Sequence, residues 1–342
     1  MEDFGSSTIV VLGGAGFIGS HFIRRVLRRH PDARVINFDK LTYCGNLENL
    51  TDIERDSRYV FMRGDITDRS VLVRVFQKYN PRFVINFAAE THVDRSIYGV
   101  GEEVIYTNVV GVGTLLDVIR SRGDIEKFVQ VSSDEVYGDL PLHTAVRFDE
   151  NSPPRPNSPY AASKAAGDLL CRANFRTHGT PVVVTRATNN YGSHQYPEKL
   201  IPFFILRLLE GKTLPLYGDG KYVRDWLYAE DHCAALEKIL IRGTPGEIYN
   251  IGAENEQSNR NIALAILAHF GAPRSRLAFV EDRPGHDRRY ALDTSKIRKK
   301  LGWRPVAVFE KEIARTIQWY RDNESWIANI LKRVKKINPH IK

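Results

Sequence analysis

The stretch TIVVLGGAGFIG at residues 8–19 decides the fold, because a short β-branched run leads directly into closely spaced glycines. Gly13, Gly16 and Gly19 are three residues apart, and the residues that follow, Phe17–Arg29, have a helical pattern. A glycine turn between a strand and a helix lets the backbone approach a pyrophosphate, to which the helix offers free N–H groups and a favourable dipole. The stretch therefore predicts a dinucleotide-binding turn at the start of an α/β sheet.

An acidic residue at the end of the next predicted strand supports this interpretation, because Asp39 follows Gly19 by 20 residues. A carboxylate there accepts hydrogen bonds from both adenosine ribose hydroxyls and repels a 2′-phosphate. NAD is therefore favoured over NADP as the cofactor, although the adjacent Lys40 weakens the preference. Asp65 and Ile66, which follow the third predicted strand, are expected at the adenine edge.

Strand-like and helical segments alternate through the first half of the chain. Apolar strand-like runs lie at 8–12, 34–38, 59–62, 83–87, 127–131 and 182–185, and helical segments at 17–29, 68–79, 102–121 and 158–178. Such alternation indicates an α/β fold with a doubly wound, parallel, Rossmann-type sheet, helices on both faces and ligands at the carboxyl ends of the strands.

The second half is less regular and predicts a smaller mixed α/β C-terminal lobe that binds the substrate. Helices are expected at 198–210, 229–241, 258–270 and 308–333, with short strands between them. We therefore expect an NAD-binding Rossmann domain over 1–186, with a strand near 247–251 returning to it. The substrate lobe is expected over 187–330, followed by a basic tail over 331–342.

A tyrosine and a lysine four residues apart predict a hydride-transfer site. Tyr160 and Lys164 lie on one face of the predicted helix at 158–178. A free phenol has a pKa near ~10, too high for a base at neutral pH. The positive charge of Lys164 would favour the phenolate, and Ser133 could hydrogen-bond the same substrate hydroxyl.

Two adjacent carboxylates indicate that water is eliminated as well. Asp134 and Glu135 close the apolar strand that begins near Lys127, and strand ends in such sheets face the ligand crevice. Neighbouring carboxylates can have their pKa values driven apart, which leaves one protonated acid and one ionised base.

The charge balance of 49 basic and 41 acidic residues leaves a net charge of +8. We interpret the basic clusters as solvated helix faces and expect no nucleic-acid partner, because no recognition motif accompanies them. The clusters are Arg24, Arg25, Arg28 and Arg29 on an early helix, and Lys332, Arg333, Lys335 and Lys336 near the tail.

Other features point to a cytoplasmic enzyme without a metal or a membrane partner. No apolar run approaches the roughly 18 residues needed to cross a bilayer, and the acidic, polar start MEDFGSS does not resemble a secretory signal. Cys44, Cys171 and Cys233 are an odd number and widely spaced, so neither a disulfide framework nor a zinc site is expected.

Several motifs, taken together, resemble the extended short-chain dehydrogenase/reductase superfamily and, within it, the dTDP-glucose 4,6-dehydratases. The match includes GGAGFIG at 13–19, DKLTYCGNLENL at 39–50, AAETHVDRSI at 88–97, SSDEVYG at 132–138, YAASK at 160–164, YGDGKYVRDWLY at 217–228 and DRPGHDRRYALD at 282–293. The Asp-Glu pair discriminates this family from related sugar-nucleotide epimerases, which typically lack both carboxylates.

The resemblance implies a role for each catalytic candidate. Tyr160 would take the proton from the sugar 4-hydroxyl, assisted by Lys164 and Ser133. Glu135 would be the base at carbon 5, and Asp134 the acid that protonates the departing 6-hydroxyl. The product would be a 4-keto-6-deoxy sugar nucleotide, with NAD regenerated in each cycle.

The resemblance also implies two sets of binding residues and a homodimer formed through the helices near 102–121 and 158–178. The cofactor set is Gly13, Gly16, Phe17, Ile18, Gly19, Asp39, Lys40, Asp65, Ile66, Ala88, Ala89, Thr107, Tyr160 and Lys164. The set for a nucleoside-diphosphate glucose, with dTDP-glucose as the first choice, is His92, Asn190, Glu198, Lys199, Leu200, Arg224, Asn259, Arg283 and His286. Of these, Arg224, Asn259, Arg283 and His286 resemble the family's nucleotide-diphosphate contacts, and Asn190, Glu198, Lys199 and Leu200 resemble its contacts to the nucleotide portion.

Two alternative functions stay open on the sequence alone. A sugar-nucleotide 4-epimerase or decarboxylase on the same fold would use Tyr160 and NAD in the same way, without needing the carboxylate pair. A non-catalytic NAD-binding scaffold protein is the other alternative. The choice between thymine and uracil also stays open, since the two bases differ by one methyl group.

Overall fold

A computed structural model describes residues 3–98 and 101–333. The strands, in chain order, are β1 (Thr8–Leu12), β2 (Arg34–Asp39), β3 (Tyr59–Arg63), β4 (Phe83–Asn86), β5 (Lys127–Ser133), β6 (Val182–Ala187), β7 (Asn189–Tyr191), β8 (Leu214–Tyr217), β9 (Val223–Tyr228), β10 (Ile248–Ile251), β11 (Glu256–Ser258) and β12 (Leu277–Val280). Seven of them form one parallel sheet in the order β10-β6-β5-β4-β1-β2-β3.

The helices of the described residues cover both faces of this sheet or build the second lobe. They are α1 (Phe17–Arg29), α2 (Arg69–Tyr79), α3 (Val93–Tyr98), α4 (Gly101–Ile105), α5 (Val112–Arg122), α6 (Pro159–His178), α7 (Leu200–Leu209), α8 (Ala229–Arg242), α9 (Asn259–His269), α10 (Ser295–Leu301), α11 (Phe309–Asp322) and α12 (Glu324–Arg333).

Alternate side chains of the central strands face two separate hydrophobic cores. In β1, Ile9 and Val11 pack into the core that contains α1 and α8, whereas Val10 and Leu12 pack into the core that contains α2 and α5. A sheet that is buried on both faces needs apolar residues at every position, which is why β1 reads as a continuous apolar run. The doubly wound α/β fold predicted from the sequence is confirmed.

The second lobe contains a three-stranded sheet, β11-β9-β7, and a two-stranded sheet, β12-β8. Its hydrophobic core is formed mainly by side chains from α7, α9, α11 and α12. The prediction of one helix over 308–333 is wrong, because α11 and α12 are separate helices. Between them the backbone of Asn323 leaves the helical conformation, and its side-chain amide donates to the Trp319 carbonyl at 2.8 Å.

One helical stretch corrects a sequence-based expectation about apolar length. Residues 101–122 comprise α4, a π-helical turn (Tyr106–Gly111) and α5, and they are long and apolar enough, by length and composition, to cross a membrane. The expectation that no run reaches this length is therefore wrong. Leu115, Leu116 and Ile119 of this stretch are buried in the core beneath the sheet, so core packing accounts for part of its apolar composition.

The basic cluster on α1 is paired with carboxylates. The ion pairs are Arg24–Asp52, Arg25–Glu237, Arg28–Glu230 and Arg29–Glu237. These contacts fix α1 to α8 and to the segment after β2, which agrees with the interpretation of this cluster as a helix face. Lys335 and Lys336 of the tail cluster lie outside the described residues.

Candidate active site

A cavity of about 310 Å³ lies at the carboxyl ends of the central strands. Every residue predicted to hold the cofactor lines it, from Gly13 at the glycine turn to Lys164 on α6. Of the other candidates, the walls include Ser133, Glu135, Asn190, Glu198, Lys199 and Leu200. The fold therefore brings residues from widely separated parts of the sequence to one crevice.

The glycine turn has the shape that a pyrophosphate requires. Gly13 has a φ of +75°, and a Cβ atom there would lie 2.5 Å from the backbone nitrogen of Ala88. A Cβ on Gly19 would lie 2.5 Å from the Gly13 carbonyl oxygen. Helix α1 begins after Gly16 without a side-chain cap, so its first N–H groups are available to an anion. The turn thus fits a dinucleotide.

Asp39 is held at the end of β2 by two backbone donors. The N–H of Ala15 donates to Oδ2 at 2.9 Å, and the N–H of Leu41 donates to Oδ1 at 2.8 Å. Burial raises the pKa of Asp39, and these two hydrogen bonds oppose the increase. Lys40 contacts Asp65, with 2.7 Å between Nζ and Oδ2. The charge of Lys40 is therefore paired with a carboxylate beside the expected ribose position. This arrangement suits the diol of NAD better than a 2′-phosphate.

Tyr160 and Lys164 lie one turn apart at the start of α6, which Ser158 caps by accepting from the Ala161 N–H at 3.1 Å. Lys164 Nζ donates to the Val131 carbonyl at 2.7 Å, and burial lowers the pKa of Lys164 to about 8. Burial raises the pKa of Tyr160, and the neighbouring Glu135 raises it further. The phenol is thus neutral in the ligand-free protein and needs added positive charge to ionise.

Asp134 and Glu135 occupy a short 3₁₀ turn that Ser133 caps, accepting from the Glu135 N–H at 3.3 Å. Glu135 lines the cavity, whereas Asp134 lies behind the wall with 3 % of its surface exposed. The Ser133 hydroxyl donates to Asp134 Oδ1 at 3.2 Å, and Oδ2 has no hydrogen-bond partner. Both carboxylates are therefore fixed by the turn that ends β5.

The surroundings separate the pKa values of these two carboxylates. Burial raises the pKa of Asp134 well above its usual range, and the charge of Glu135 raises it further, more than the charge of Arg224 lowers it. Burial also raises the pKa of Glu135, but Arg283 and Arg224 oppose that increase. Asp134 is suited to hold a proton as an acid, and Glu135 to accept one as a base.

The predicted diphosphate contacts lie near Glu135 but not in the cavity wall. Arg283 Nη1 donates to Asp94 Oδ1 at 2.6 Å, and its buried Nε has no partner. Arg224 Nη2 donates to the carbonyl of Asp287 at 2.8 Å. Both guanidinium groups contribute positive charge beside the reaction site.

The remaining two members of that set are also placed around this region. The ring of His286 stacks on Tyr222 with centroids 3.6 Å apart, and burial lowers the pKa of His286. Asn259 begins α9, and its side-chain oxygen is buried without a partner. Unpaired polar atoms of this kind suit a polar ligand.

Other residues of the predicted substrate set make contacts within the protein. His92 Nε2 lies 3.7 Å from Glu198 Oε2, and burial lowers the pKa of His92 to about 3, so the ring is neutral. Lys199 Nζ donates to the Thr91 carbonyl at 2.9 Å. The side-chain oxygen of Asn190 lies 2.9 Å from a ring nitrogen of His232, so this oxygen is hydrogen-bonded within the protein.

Sequence reasoning missed several residues of the cavity wall: Thr42, Cys44, Asn49, Glu90, Thr91, His194, Trp226 and Ile330. Some had a signal, because Thr42, Cys44 and Asn49 belong to the stretch at 39–50 that carries the family resemblance. Glu90 and Thr91 stand beside the predicted Ala88 and Ala89. Trp226 likewise belongs to the stretch at 217–228 that carries the resemblance. Nothing in the local pattern identified Ile330, which reaches the cavity from α12.

Comparisons with known proteins show which family the chain resembles. The sequence model of the GDP-mannose 4,6-dehydratase family matches residues 10–316. A dTDP-glucose 4,6-dehydratase from Xanthomonas campestris pv. campestris (strain B100) is 47 % identical, over 95 % of this chain and 96 % of its own. One from Neisseria meningitidis serogroup B is 48 % identical, over 94 % of this chain and 96 % of its own.

Solved structures extend the comparison. The structure of dTDP-glucose 4,6-dehydratase from Bacillus anthracis in complex with NAD has a TM-score of 0.88 and 44 % identity, and it covers 95 % of this chain and 99 % of that chain. A UDP-glucose 4-epimerase from Thermotoga maritima, solved with UDP-glucose, has a TM-score of 0.85 at 28 % identity, over 93 % of this chain and 99 % of that chain.

Proposed function

The chain belongs to the GDP-mannose 4,6-dehydratase family and, within it, to the dTDP-glucose 4,6-dehydratases, and from this premise we propose that it converts dTDP-glucose to dTDP-4-keto-6-deoxyglucose and water. The observation that carries the proposal is the pair Asp134 and Glu135, placed after β5 beside Tyr160 and Lys164. A 4-epimerase needs the tyrosine and the lysine but not the carboxylate pair.

The residues of the chain divide the reaction into proton transfers at separate sugar atoms. Tyr160, ionised to a phenolate that the charge of Lys164 stabilises, accepts the proton of the 4-hydroxyl. Bound NAD⁺ would supply the redox chemistry, as the acceptor of the hydride from carbon 4 and its donor to carbon 6. Glu135 removes the proton at carbon 5, which the carbon 4 ketone has made acidic, and a proton returns to carbon 5 when the hydride adds to carbon 6. Asp134 protonates the 6-hydroxyl, which leaves as water.

The binding roles follow from the same placement. The residues around the glycine turn, with Asp39, hold the dinucleotide. Arg224, Asn259, Arg283 and His286 hold the diphosphate of the sugar nucleotide, and His92, Asn190, Glu198, Lys199 and Leu200 hold its nucleoside and sugar portion. Residues 1–186 then act as the cofactor domain, and residues 187–330 as the substrate lobe.

An isotope experiment tests the proposed reaction. The purified protein is incubated with dTDP-glucose that carries deuterium at carbon 4, without added reductant, and the product is analysed by NMR and mass spectrometry. We expect a 4-keto product with deuterium at carbon 6 and the loss of one water. Deuterium returned to carbon 4 would indicate an epimerase, and the absence of a ketone with dTDP-, UDP-, CDP- and GDP-glucose would contradict the proposal.

We also propose that the enzyme is a cytoplasmic homodimer, assembled through the outer side of α4, the π-helical turn and α6. Large hydrophobic residues are exposed on these neighbouring helices and the adjacent α3, namely Tyr98, Ile105, Tyr106, Val110 and Leu169. Apolar groups clustered in this way mark interaction surfaces. Sedimentation analysis should show a dimer that Leu169→Asp weakens and that Leu209→Asp, at an exposed position at the end of α7, leaves intact. A monomeric parent protein would contradict this assembly.

A further inference from the structure

The last described helix, α12, is connected to the glycine turn by two hydrogen bonds. The indole N–H of Trp326 donates to Asn49 Oδ1 at 2.9 Å, and the amide of Asn49 donates to the Ala15 carbonyl at 2.9 Å. Asn49 is 1 % exposed and Trp326 is 6 % exposed, so water does not compete for these bonds. A residue near the end of the chain therefore acts on a turn near its beginning.

Ala15 is the point at which this connection meets the cofactor site. Its N–H donates to Asp39, the proposed ribose ligand, and its carbonyl accepts from Asn49 and also from the Asn46 N–H at 3.0 Å. The peptide groups of Ala15 thus link the pyrophosphate turn to the ribose carboxylate. Without the Trp326 donor, Asn49 Oδ1 would be buried and unpaired, a costly state that the amide would relieve by turning away from Ala15.

The same helix also closes the cavity. Ile330 lies one turn beyond Trp326 on α12, is 2 % exposed and forms part of the cavity wall. His194, another wall residue, packs against the Trp326 ring with centroids 5.9 Å apart. The side-chain amide of Asn329 donates to Glu48 Oε2 at 3.2 Å, which ties α12 to the segment that follows β2.

We propose that α12 retains the cofactor: Trp326 is a positioning residue that acts through Asn49 on the glycine turn, and Ile330 closes the dinucleotide cavity. This inference rests on the proposed function, in which NAD leaves each cycle in the oxidation state in which it entered. Such a reaction gains nothing from cofactor exchange, so a structural element that slows NAD release is consistent with it.

The first experiment compares two tryptophan variants of the purified full-length holoenzyme. Trp326→Phe removes the indole N–H and keeps an aromatic ring. Trp319→Phe is the matched control. The Trp319 ring packs on the rings of His194 and Trp326, with centroid distances of 4.3 and 4.9 Å, but it makes no hydrogen bond to Asn49. Release of bound NAD is measured by chasing with isotope-labelled NAD, and the unfolding midpoint of each cofactor-free protein is recorded.

We expect Trp326→Phe to release NAD about 10-fold faster than the parent, the effect of one lost buried hydrogen bond, and Trp319→Phe to match the parent. Equal rates in all three proteins would overturn the inference. It would also fail if both variants released NAD equally fast, because ring packing and not the Asn49 contact would then be responsible. The unfolding midpoints separate cofactor retention from general stability. Release that is faster than that of a control variant with a similar midpoint supports retention, whereas release that merely follows the midpoint in every variant contradicts it.

A second pair of variants tests cavity closure separately. Ile330→Ala should speed NAD release, whereas Ile327→Ala, on the same helix and in the core but outside the cavity wall, should not. Equal release from both would count against a role for Ile330. A parent protein that retains NAD but does not dehydrate any nucleoside-diphosphate glucose would refute the proposed function and leave the retention role standing. A parent that binds no NAD would overturn both.

Discussion

The two ends of the cavity differ in how completely their polar side chains are paired with other groups of the protein. At the cofactor end, Asp39 accepts hydrogen bonds from two backbone N–H groups, and Lys40 is paired with Asp65. The side-chain amide of Asn49 donates to a backbone carbonyl and accepts from an indole N–H. At the reaction end, the Asp134 carboxylate keeps one oxygen without a partner. The pKa values of Tyr160, Lys164 and Glu135 there are all displaced from their usual ranges.

This difference corresponds to two physical tasks. Binding requires a fixed shape, so Asp39, Lys40 and Asn49 at the cofactor end are paired with other protein groups before a ligand arrives. Proton transfer requires groups that can change charge. The titratable side chains at the reaction end are therefore buried, and neighbouring groups balance their charges only in part. We expect substitutions at the reaction end to change the rate, and substitutions at the cofactor end to change stability and NAD retention.

The largest effect is expected for Tyr160→Phe, which removes the proton acceptor and keeps the ring. Turnover of dTDP-glucose should fall by about 10²–10⁴-fold, while the NAD content of the purified protein stays at the parental value. Tyr249→Phe is the matched control, since Tyr249 is a buried tyrosine that accepts from the Thr244 N–H at 3.3 Å and does not line the cavity. A turnover within tenfold of the parent in Tyr160→Phe would remove this phenol from the mechanism.

A smaller effect, on stability, is expected at the glycine turn. Gly13→Ala places a Cβ atom 2.5 Å from a backbone nitrogen at a φ of +75°, so the free energy of unfolding should fall by about 2–4 kcal/mol. In Gly16→Ala the nearest atom would be 3.3 Å away and φ is −76°, so the loss should stay under about 1 kcal/mol. Urea unfolding of the cofactor-free proteins measures both, and equal losses would contradict the geometry.

The smallest effect is a gain in stability from Asp134→Asn. Because burial raises the pKa of Asp134, folding favours its protonated form, so the parent protein loses stability as the pH rises from the unfolded-state pKa towards the folded-state pKa. The variant should be more stable than the parent by about 1 kcal/mol at pH 7, and the difference should disappear at acidic pH, where Asp134 is protonated.

Thermal unfolding at several pH values measures this difference. Asp52→Asn is the control, because Asp52 is a surface carboxylate whose side chain is 54 % exposed and paired with Arg24. If Asp134→Asn were less stable than the parent at neutral pH, the comparison between the two ends would be wrong, because the reaction end would then be optimised for stability as well.

Much of the first half could be predicted from the sequence for a physical reason. Strands buried on both faces are largely apolar, and strands such as β1 and β5 begin where their apolar runs begin. Asp39 at the end of β2 and Asp134 directly after β5 lie at the ligand edge because parallel strands end on one side. The residue types and the topology together placed the cofactor candidates around one cavity.

The second lobe and α12 could not be predicted in the same way. Strands β7 and β11 have three residues each and pair with β9 across long stretches of chain, so they show no local periodicity. The single helix predicted over 308–333 followed a continuous amphipathic pattern that the backbone of Asn323 interrupts. The contact between Trp326 and Asn49 joins residues far apart in the sequence, and no local pattern encodes it.

The parallel sheet has a consequence for how such enzymes diversify. Because all seven strands end on the same side, the segment that follows each strand lies at the crevice. The segment after β5 is therefore separate from the glycine turn after β1. We therefore expect an exchange of the two residues that follow Ser133 to leave the cofactor end of the cavity unaltered. The UDP-glucose 4-epimerase from Thermotoga maritima, at 28 % identity, shows that a similar fold serves a different reaction.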